Sequence, residues 1–151
     1  MDMAIRNSAK ALLMDSGKIL LNRCRSRFGV YYALPGGGQR LGETLTEAIR
    51  RELLEETGLS VAPVRLAGVY EQVTRRQEGP PDHKLYFLYL CELLDVERSK
   101  PTHRDAYQLS SEWVDLNEAV TGRLFPRTVR NNLMRMIYGD GTYYLGSERK
   151  G

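Results

Sequence analysis

Cysteine is scarce in this chain of 151 residues: Cys24 and Cys91 are the two it has, at neither a disulfide-framework nor a zinc-ligand spacing. A disulfide-stapled scaffold is therefore excluded, and a reducing cytosol is expected. No apolar run approaches the roughly 20 residues needed to span a bilayer. The opening MDMAIRNSAK lacks the apolar stretch of a secretory leader. A cytoplasmic protein without membrane contact is the expectation. Internal repeats and low-complexity segments are lacking too. So is a strong charge of one sign, with 22 Lys and Arg against 19 Asp and Glu, a net +3. The basic residues are dispersed, so a nucleic-acid partner is allowed but not favoured. What remains is 42% hydrophobic and 27% charged, ordinary for one domain over 1–151 with a real core, 142–151 forming a C-terminal tail.

The strongest signal lies in residues 37–59, GGQRLGETLTEAIRRELLEETGL. Thr44 followed by Glu47 is a capping-box pattern, in which each side chain satisfies the other residue's free backbone N–H. Gly58 suits the left-handed position after a helix. Between them LTEAIRRELLEET has no Gly or Pro, which predicts a helix over 45–57. Projected at about 100° per residue from Leu45, the residues Ala48, Ile49 and Leu53 define a core-facing arc. Glu52 at ~340° and Glu56 at ~20° fall inside that arc, and Glu55 at ~280° lies at its edge. Glu47, Arg50 and Arg51 point away from it.

An amphipathic surface helix would not place carboxylates on its core side. Three of them partly removed from water repel one another, so either some stay protonated or a hard divalent cation neutralises them. Mg²⁺ and Mn²⁺ match such oxygen ligands. The alternative is a solvated acidic helix laced by Glu47–Arg51 and Arg51–Glu55 pairs at i,i+4 spacing.

Elsewhere the chain reads as strands with a few helices. AKALLM (9–14) and KILLNRC (18–24) form a hairpin signal around Asp15-Ser16-Gly17, and RSRFGVYY (25–32) is a loop or short strand. Gly36, Gly37 and Gly38 predict a tight turn. Residues 62–73 read as a strand, 75–82 as a polar loop, and the apolar run 83–94 as a strand buried on both faces. SEWVDLNEAV suggests a short strand and then a helix capped by Asn117. PRTVRNNLMRMIYG (126–139) reads as one last helix with Pro126 near its first position. The tail's Tyr143-Tyr144-Leu145 could dock on the domain or on a second subunit. Cys24 reads as part of a polar loop, Cys91 and Trp113 as packing, and His83 and His103 as surface polar residues.

The 37–59 string resembles the Nudix box, G-x5-E-x7-R-E-U-x-E-E-x-G-U with U a bulky aliphatic residue. All nine fixed positions are met: Gly37, Glu43, Arg51, Glu52, Leu53, Glu55, Glu56, Gly58 and Leu59. The resemblance implies an α/β/α sandwich with a mixed sheet between helices, in agreement with the mixture of strands and helices. It implies metal-dependent hydrolysis, with water attacking a phosphorus of a nucleoside diphosphate linked to a moiety X, and Mg²⁺ or Mn²⁺ as the cofactor. Carried onto this chain, Glu52 and Glu56 are metal ligands, and Glu55 is a third ligand or the residue that orients or deprotonates water. The Gly37 carbonyl is a backbone ligand, while Glu43 and Arg51 brace the loop against the helix. Glu71, Glu97 and Glu112 are further candidates for the base.

Substrate choice lies outside the box. Arg23, Arg25 and Arg27 alternate, so an extended segment would turn them to one side, where they could clamp phosphates or merely form a basic edge. Tyr31, Tyr32 and Phe28 could stack a base or simply pack. YEQVTRRQE lacks the Pro that marks many ADP-ribose pyrophosphatases, and the patterns of the coenzyme A and NADH subgroups are missing. A small nucleotide-type substrate is expected, with a nucleoside triphosphate or an RNA 5′ end as the alternative. A non-catalytic nucleotide sensor would have a degenerate box or an added DNA-binding domain, and this chain has neither. A homodimer is consistent with the apolar tail.

Overall fold

In the computed structural model, residues 4–94 and 107–151 are described; Glu97 and His103 lie outside them. The chain opens with β1 (Arg6–Asp15) and β2 (Lys18–Ser26), a hairpin closed at Ser16-Gly17, both at positive φ. Strands β3 (Gly29–Ala33) and β4 (Gly36–Gly38) precede α1 (Leu45–Thr57). Then come β5 (Val61–Thr74), β6 (Asp82–Leu93), β7 (Gln108–Asp115), α2 (Leu116–Thr121), α3 (Arg127–Asn131), α4 (Leu133–Tyr138) and β8 (Tyr143–Lys150). The strands form one mixed sheet in the order β3-β2-β1-β6-β5-β8, with β4 added to β1 and β7 to β2. The β1–β6 and β5–β8 pairs are parallel and the other pairs antiparallel.

Alternation along β1 and β2 builds two cores, one on each face of the sheet. Ala9, Ala11, Leu13 and Leu20 face α1 and meet its Ala48, Ile49 and Leu53. Leu12, Ile19 and Leu21 face the short helices and meet Leu116, Ala119, Val129, Leu133 and Met136. The result is the expected α/β/α sandwich. Trp113 packs against the α1-side core.

The β1–β2 hairpin forks. Its strands pair with each other at Met14↔Ile19 and Asp15↔Lys18, next to the turn. Beyond that, β1 pairs with β4 through Ser8–Lys10, and β2 pairs with β3 through Asn22–Ser26. The fork is where the sheet receives the C-terminal end of α1.

Several local expectations are corrected. Gly36–Gly38 is a strand on β1, not a tight turn. At Gly36 (φ +131°) a Cβ would collide with the Ala9 carbonyl, so glycine is what lets the strands approach. The N-cap of α2 is Asp115, whose side chain accepts from Asn117 N, so Asn117 is capped rather than capping. The single helix expected over 126–139 is two, because Asn132 leaves helical geometry (φ −114°, ψ 9°) and its amide donates to the Thr128 carbonyl at 2.7 Å. Pro126 is the N-cap of the first of these. Strand β6 is only half-buried over much of its length, and its Tyr86 and Tyr89 pack against the two cores. Cys24 is buried within β2, not in a loop. The tail is an edge strand paired with β5, so Tyr143 and Leu145 pack on their own domain. Arg65 fastens this region by donating to the carbonyls of Met136, Gly139 and Gly141 at 2.5–2.7 Å.

Candidate active site

Helix α1 begins and ends as its chemistry dictates. Glu47 N donates to Thr44 Oγ1 (3.2 Å), Thr44 N donates to Glu47 Oε1 (2.9 Å), and Gly58 closes the helix at φ 75°. These caps fix which side chains enter the fork. Glu56 enters deepest, at 1% exposure. Its Oε1 accepts from Gly36 N on β4 at 2.9 Å and from Asn22 Nδ2 on β2 at 3.2 Å, so one carboxylate joins both arms of the fork. Asn22 is held in turn, because its Oδ1 accepts from Gln108 Nε2 (3.2 Å) and Ser111 Oγ (3.0 Å). Burial pushes the Glu56 carboxyl up to about 7, against the pull of Lys10's charge and the Gly36 N–H.

Glu52 lies against β4. A Cβ on Gly37 would come within 2.7 Å of the Glu52 carboxyl carbon, so the missing side chain is what makes room for that carboxylate beside the backbone. Arg51, expected to point away, folds back into the cluster with its side chain 17% exposed. Its Nε and Nη2 donate to both Glu43 oxygens at 2.7 and 3.0 Å, and Nη2 also donates to the Gly38 carbonyl at 2.9 Å. Nη1 donates to Glu52 at 2.9 Å and to Glu55 at 3.3 Å. The guanidinium fork thus joins the 38–43 loop to the helix. Arg51 holds the Glu43 carboxyl down to about 2, with the Arg40 N–H adding to this against burial. Of the two i,i+4 pairs weighed from the sequence, Arg51–Glu55 forms, while Glu47 is used in the cap.

The residues singled out for substrate separate. Arg23 is half-buried on β2, Arg25 is exposed, and Arg27 lies past the strand over the Phe28 ring at 4.8 Å. Arg23 and Arg25 therefore share one extended strand, while Arg27 lies beyond its end. Tyr31 and Tyr32 face opposite sides of β3. Tyr32 donates to Glu112 at 3.0 Å, whereas Tyr31 meets Phe125 edge-on and lines a cavity of about 300 Å³. Phe125, Tyr86, Gln72, Lys10 and Lys150 also line that cavity. Lys10 Nζ donates to the Gly36 carbonyl at 3.2 Å, on the peptide group next to the N–H that Glu56 holds. Gly36 therefore links Glu56 to Lys10, which lines the cavity. Glu71 is paired with His83 Nε2 at 2.7 Å and Glu112 with Tyr32 and Ser110; neither lines this cavity.

Sequence reasoning missed Lys10, Asn22 and Gln108 as parts of the site. A signal existed for two of them: Lys10 interrupts AKALLM and Asn22 interrupts KILLNRC, polar residues inside strands that are otherwise buried.

The family model described as NUDIX domain matches residues 4–133. This chain belongs to the Nudix family. An ADP-ribose pyrophosphatase of Methanocaldococcus jannaschii is 35% identical over 83 residues, covering 55% of this chain and about half (47%) of that protein's own length. Nucleoside triphosphatase NudI of Enterobacter sp. is 29% identical over 72% of this chain and 86% of its own. The solved structure of a Nudix hydrolase from Nitrosomonas europaea superposes with a TM-score of 0.74 at 19% identity, covering 99% of this chain and 82% of that one, which shows the fold. The protein is a Nudix hydrolase, and it has no helix among the described residues long and apolar enough to cross a membrane.

Nudix hydrolases are in general divalent-metal dependent, and the residues present in this one fit such an ion. The donors available are carboxylate and carbonyl oxygens, the hard ligands that Mg²⁺ and Mn²⁺ prefer. Gly37 leaves the Glu52 carboxylate free of side-chain crowding, and the raised carboxyl of Glu56 marks a buried charge short of countercharge. Among the described residues no three carboxylate, imidazole or thiol groups have already converged into a ligand set. Arg51 lies between Glu52 and Glu55 and balances them.

Proposed function

We propose that the protein hydrolyses the diphosphate bridge of a nucleoside diphosphate linked to a second moiety, by attack of water at phosphorus. The observation that carries this reading is Gly36, whose N–H is held by Glu56 and whose carbonyl is held by Lys10 at the rim of the adjoining cavity. A nucleoside seated in that cavity, against Tyr31 and Phe125, would direct its phosphates past Lys10 toward the box carboxylates. Glu52, Glu56 and the Gly37 carbonyl would hold Mg²⁺ or Mn²⁺. Such an ion polarises phosphoryl oxygens and offsets the charge of the leaving phosphate. Glu55 is a third ligand or takes the proton of the attacking water. Glu43 and Arg51 brace the loop, and Lys10 supplies a positive charge for the bridging phosphates. Arg23, Arg25 and Tyr32 have weaker claims on the substrate than Tyr31, since they do not line the cavity.

The relatives' names supply the two substrate classes to compare. An ADP-ribose-type substrate fits the diphosphate-linked reading, and a nucleoside triphosphate or RNA 5′ end is the second reading, favoured by the NudI likeness and the net positive charge. A panel of nucleoside triphosphates, dinucleotides, ADP-ribose and nucleotide sugars with Mg²⁺ or Mn²⁺ separates them by the phosphate or nucleoside monophosphate released. Turnover of a nucleotide sugar with no cleavage of nucleoside triphosphates or of a 5′-triphosphorylated RNA removes the second reading. We read residues 1–151 as one domain acting in the cytosol, where the two buried thiols stay reduced. Light scattering decides whether it works as a homodimer.

A further inference from the structure

Two cavities of this fold meet at one side chain. Lys150, at the end of β8, lines the cavity beside Gly36 and also a basic cleft of about 540 Å³. The sheet builds that cleft: β5 and β8 run parallel to the pair Thr74↔Lys150, and Arg75 N donates to the Lys150 carbonyl at 2.8 Å. Arg75 and Arg76 leave one strand end as Arg149 and Lys150 reach the other, with Pro81 and Val73 completing the wall.

The charges in the cleft are poorly balanced. Arg76 lies 3.7 Å from Asp82, which Arg6 already holds at 2.5 Å, and Lys150 lies 3.8 Å from Glu148. Arg75 and Arg149 are exposed and have no acidic side-chain partner among the described residues, and no acidic side chain lines the cleft, where Gly151 packs beside Arg75. Like charges gathered around a concavity favour an anion, and paired guanidinium groups match the oxygens of a phosphate. Lys10 marks the side of the first cavity toward the carboxylates, and Lys150 marks the side toward the basic cleft.

We propose that the basic cleft binds a phosphate on the ribose of the substrate, remote from the 5′ diphosphate. Favoured substrates are then nucleotides extended at the 3′ position, either 3′-phosphorylated mononucleotides or the 5′ end of an oligonucleotide. This rests on the first cavity being the nucleoside site. The test is calorimetric titration of the full chain with AMP and with adenosine 3′,5′-bisphosphate, repeated on Arg75→Ala/Arg149→Ala. A Lys18→Ala variant at the β1–β2 turn controls for removal of a basic side chain outside the cleft.

The bisphosphate should bind at least tenfold tighter than AMP. The double variant should bring the two within about twofold, and Lys18→Ala should leave their ratio alone. AMP and the bisphosphate binding alike, or a preference that survives the double variant, overturns this inference while sparing the nucleoside reading. Binding of neither at millimolar concentration overturns both. The 5′-phosphorylated dinucleotide pApA tells the sources apart: binding as tight as the bisphosphate supports an oligonucleotide, and binding no tighter than AMP supports a mononucleotide.

Discussion

Glu56 is under two opposed demands, because it is buried as a carboxylate and yet needs a charge to be useful. Without a divalent ion its burial is a net cost, and the Gln side chain keeps the oxygen that accepts from Gly36 N and Asn22 Nδ2. In chelator, Glu56→Gln should therefore melt at or above the parent temperature in a thermal scan, and a lower melting temperature would contradict the account of its environment. Glu43 behaves in the opposite way. Its carboxyl is held at about 2 instead of the ordinary 4.5, so its contribution is complete above 4.5 and is lost as pH falls toward 2. The lost stability should be of order 2 kcal/mol for this largely shielded pair. Urea titrations between pH 5 and 2.5 should show that decline in the parent and a shallower one in Glu43→Gln. Gly37→Ala directs a methyl at the Glu52 carboxylate, so activity should fall at least ~10-fold with a smaller change in melting temperature.

At the scale of elements, α1 was legible because everything that makes it is local. Its capping box, left-handed Gly58 and 3.6-residue period all lie within fifteen residues of one another. Its stability should follow the same logic: Thr44→Ala costs about 1 kcal/mol for the lost cap. Leu53→Ala costs about 2–5 kcal/mol for the buried cavity, both read from denaturant midpoints. The angular reading of Glu52 and Glu56 held, but Arg51 did not stay on the outer face, because a long side chain is recruited by Glu43 across the loop. Elements set by distant partners were illegible. Gly36–Gly38 is a strand only because β1 offers Ser8–Lys10, and the tail is a strand only because β5 has an open edge. The break at Asn132 had a local cue in the Asn131-Asn132 pair, which favours side-chain bonds to the backbone over a continuing helix.

At the scale of the molecule, the candidate site is built on a fork in the sheet that no window of sequence displays. Asn22 and Glu56 are 34 residues apart and meet only because β1 and β2 diverge beyond their turn, each taking a different neighbour. The box motif pointed to the family in advance, since its spacing is a property of one helix and one loop. The cavity beside it is assembled from β1, β3, β5, β6, β8, α3 and the segment before it, so its specificity could not be read from any of them alone. The central claim is that the box carboxylates hold the ion that drives hydrolysis. Its most direct test is nucleoside monophosphate release from ADP-ribose and from nucleoside triphosphates in Mg²⁺, comparing the parent with Glu56→Gln. The account predicts that parent turnover disappears in chelator and that the folded variant loses at least ~100-fold in kcat. Turnover that survives chelation, or a variant as active as the parent, would contradict it.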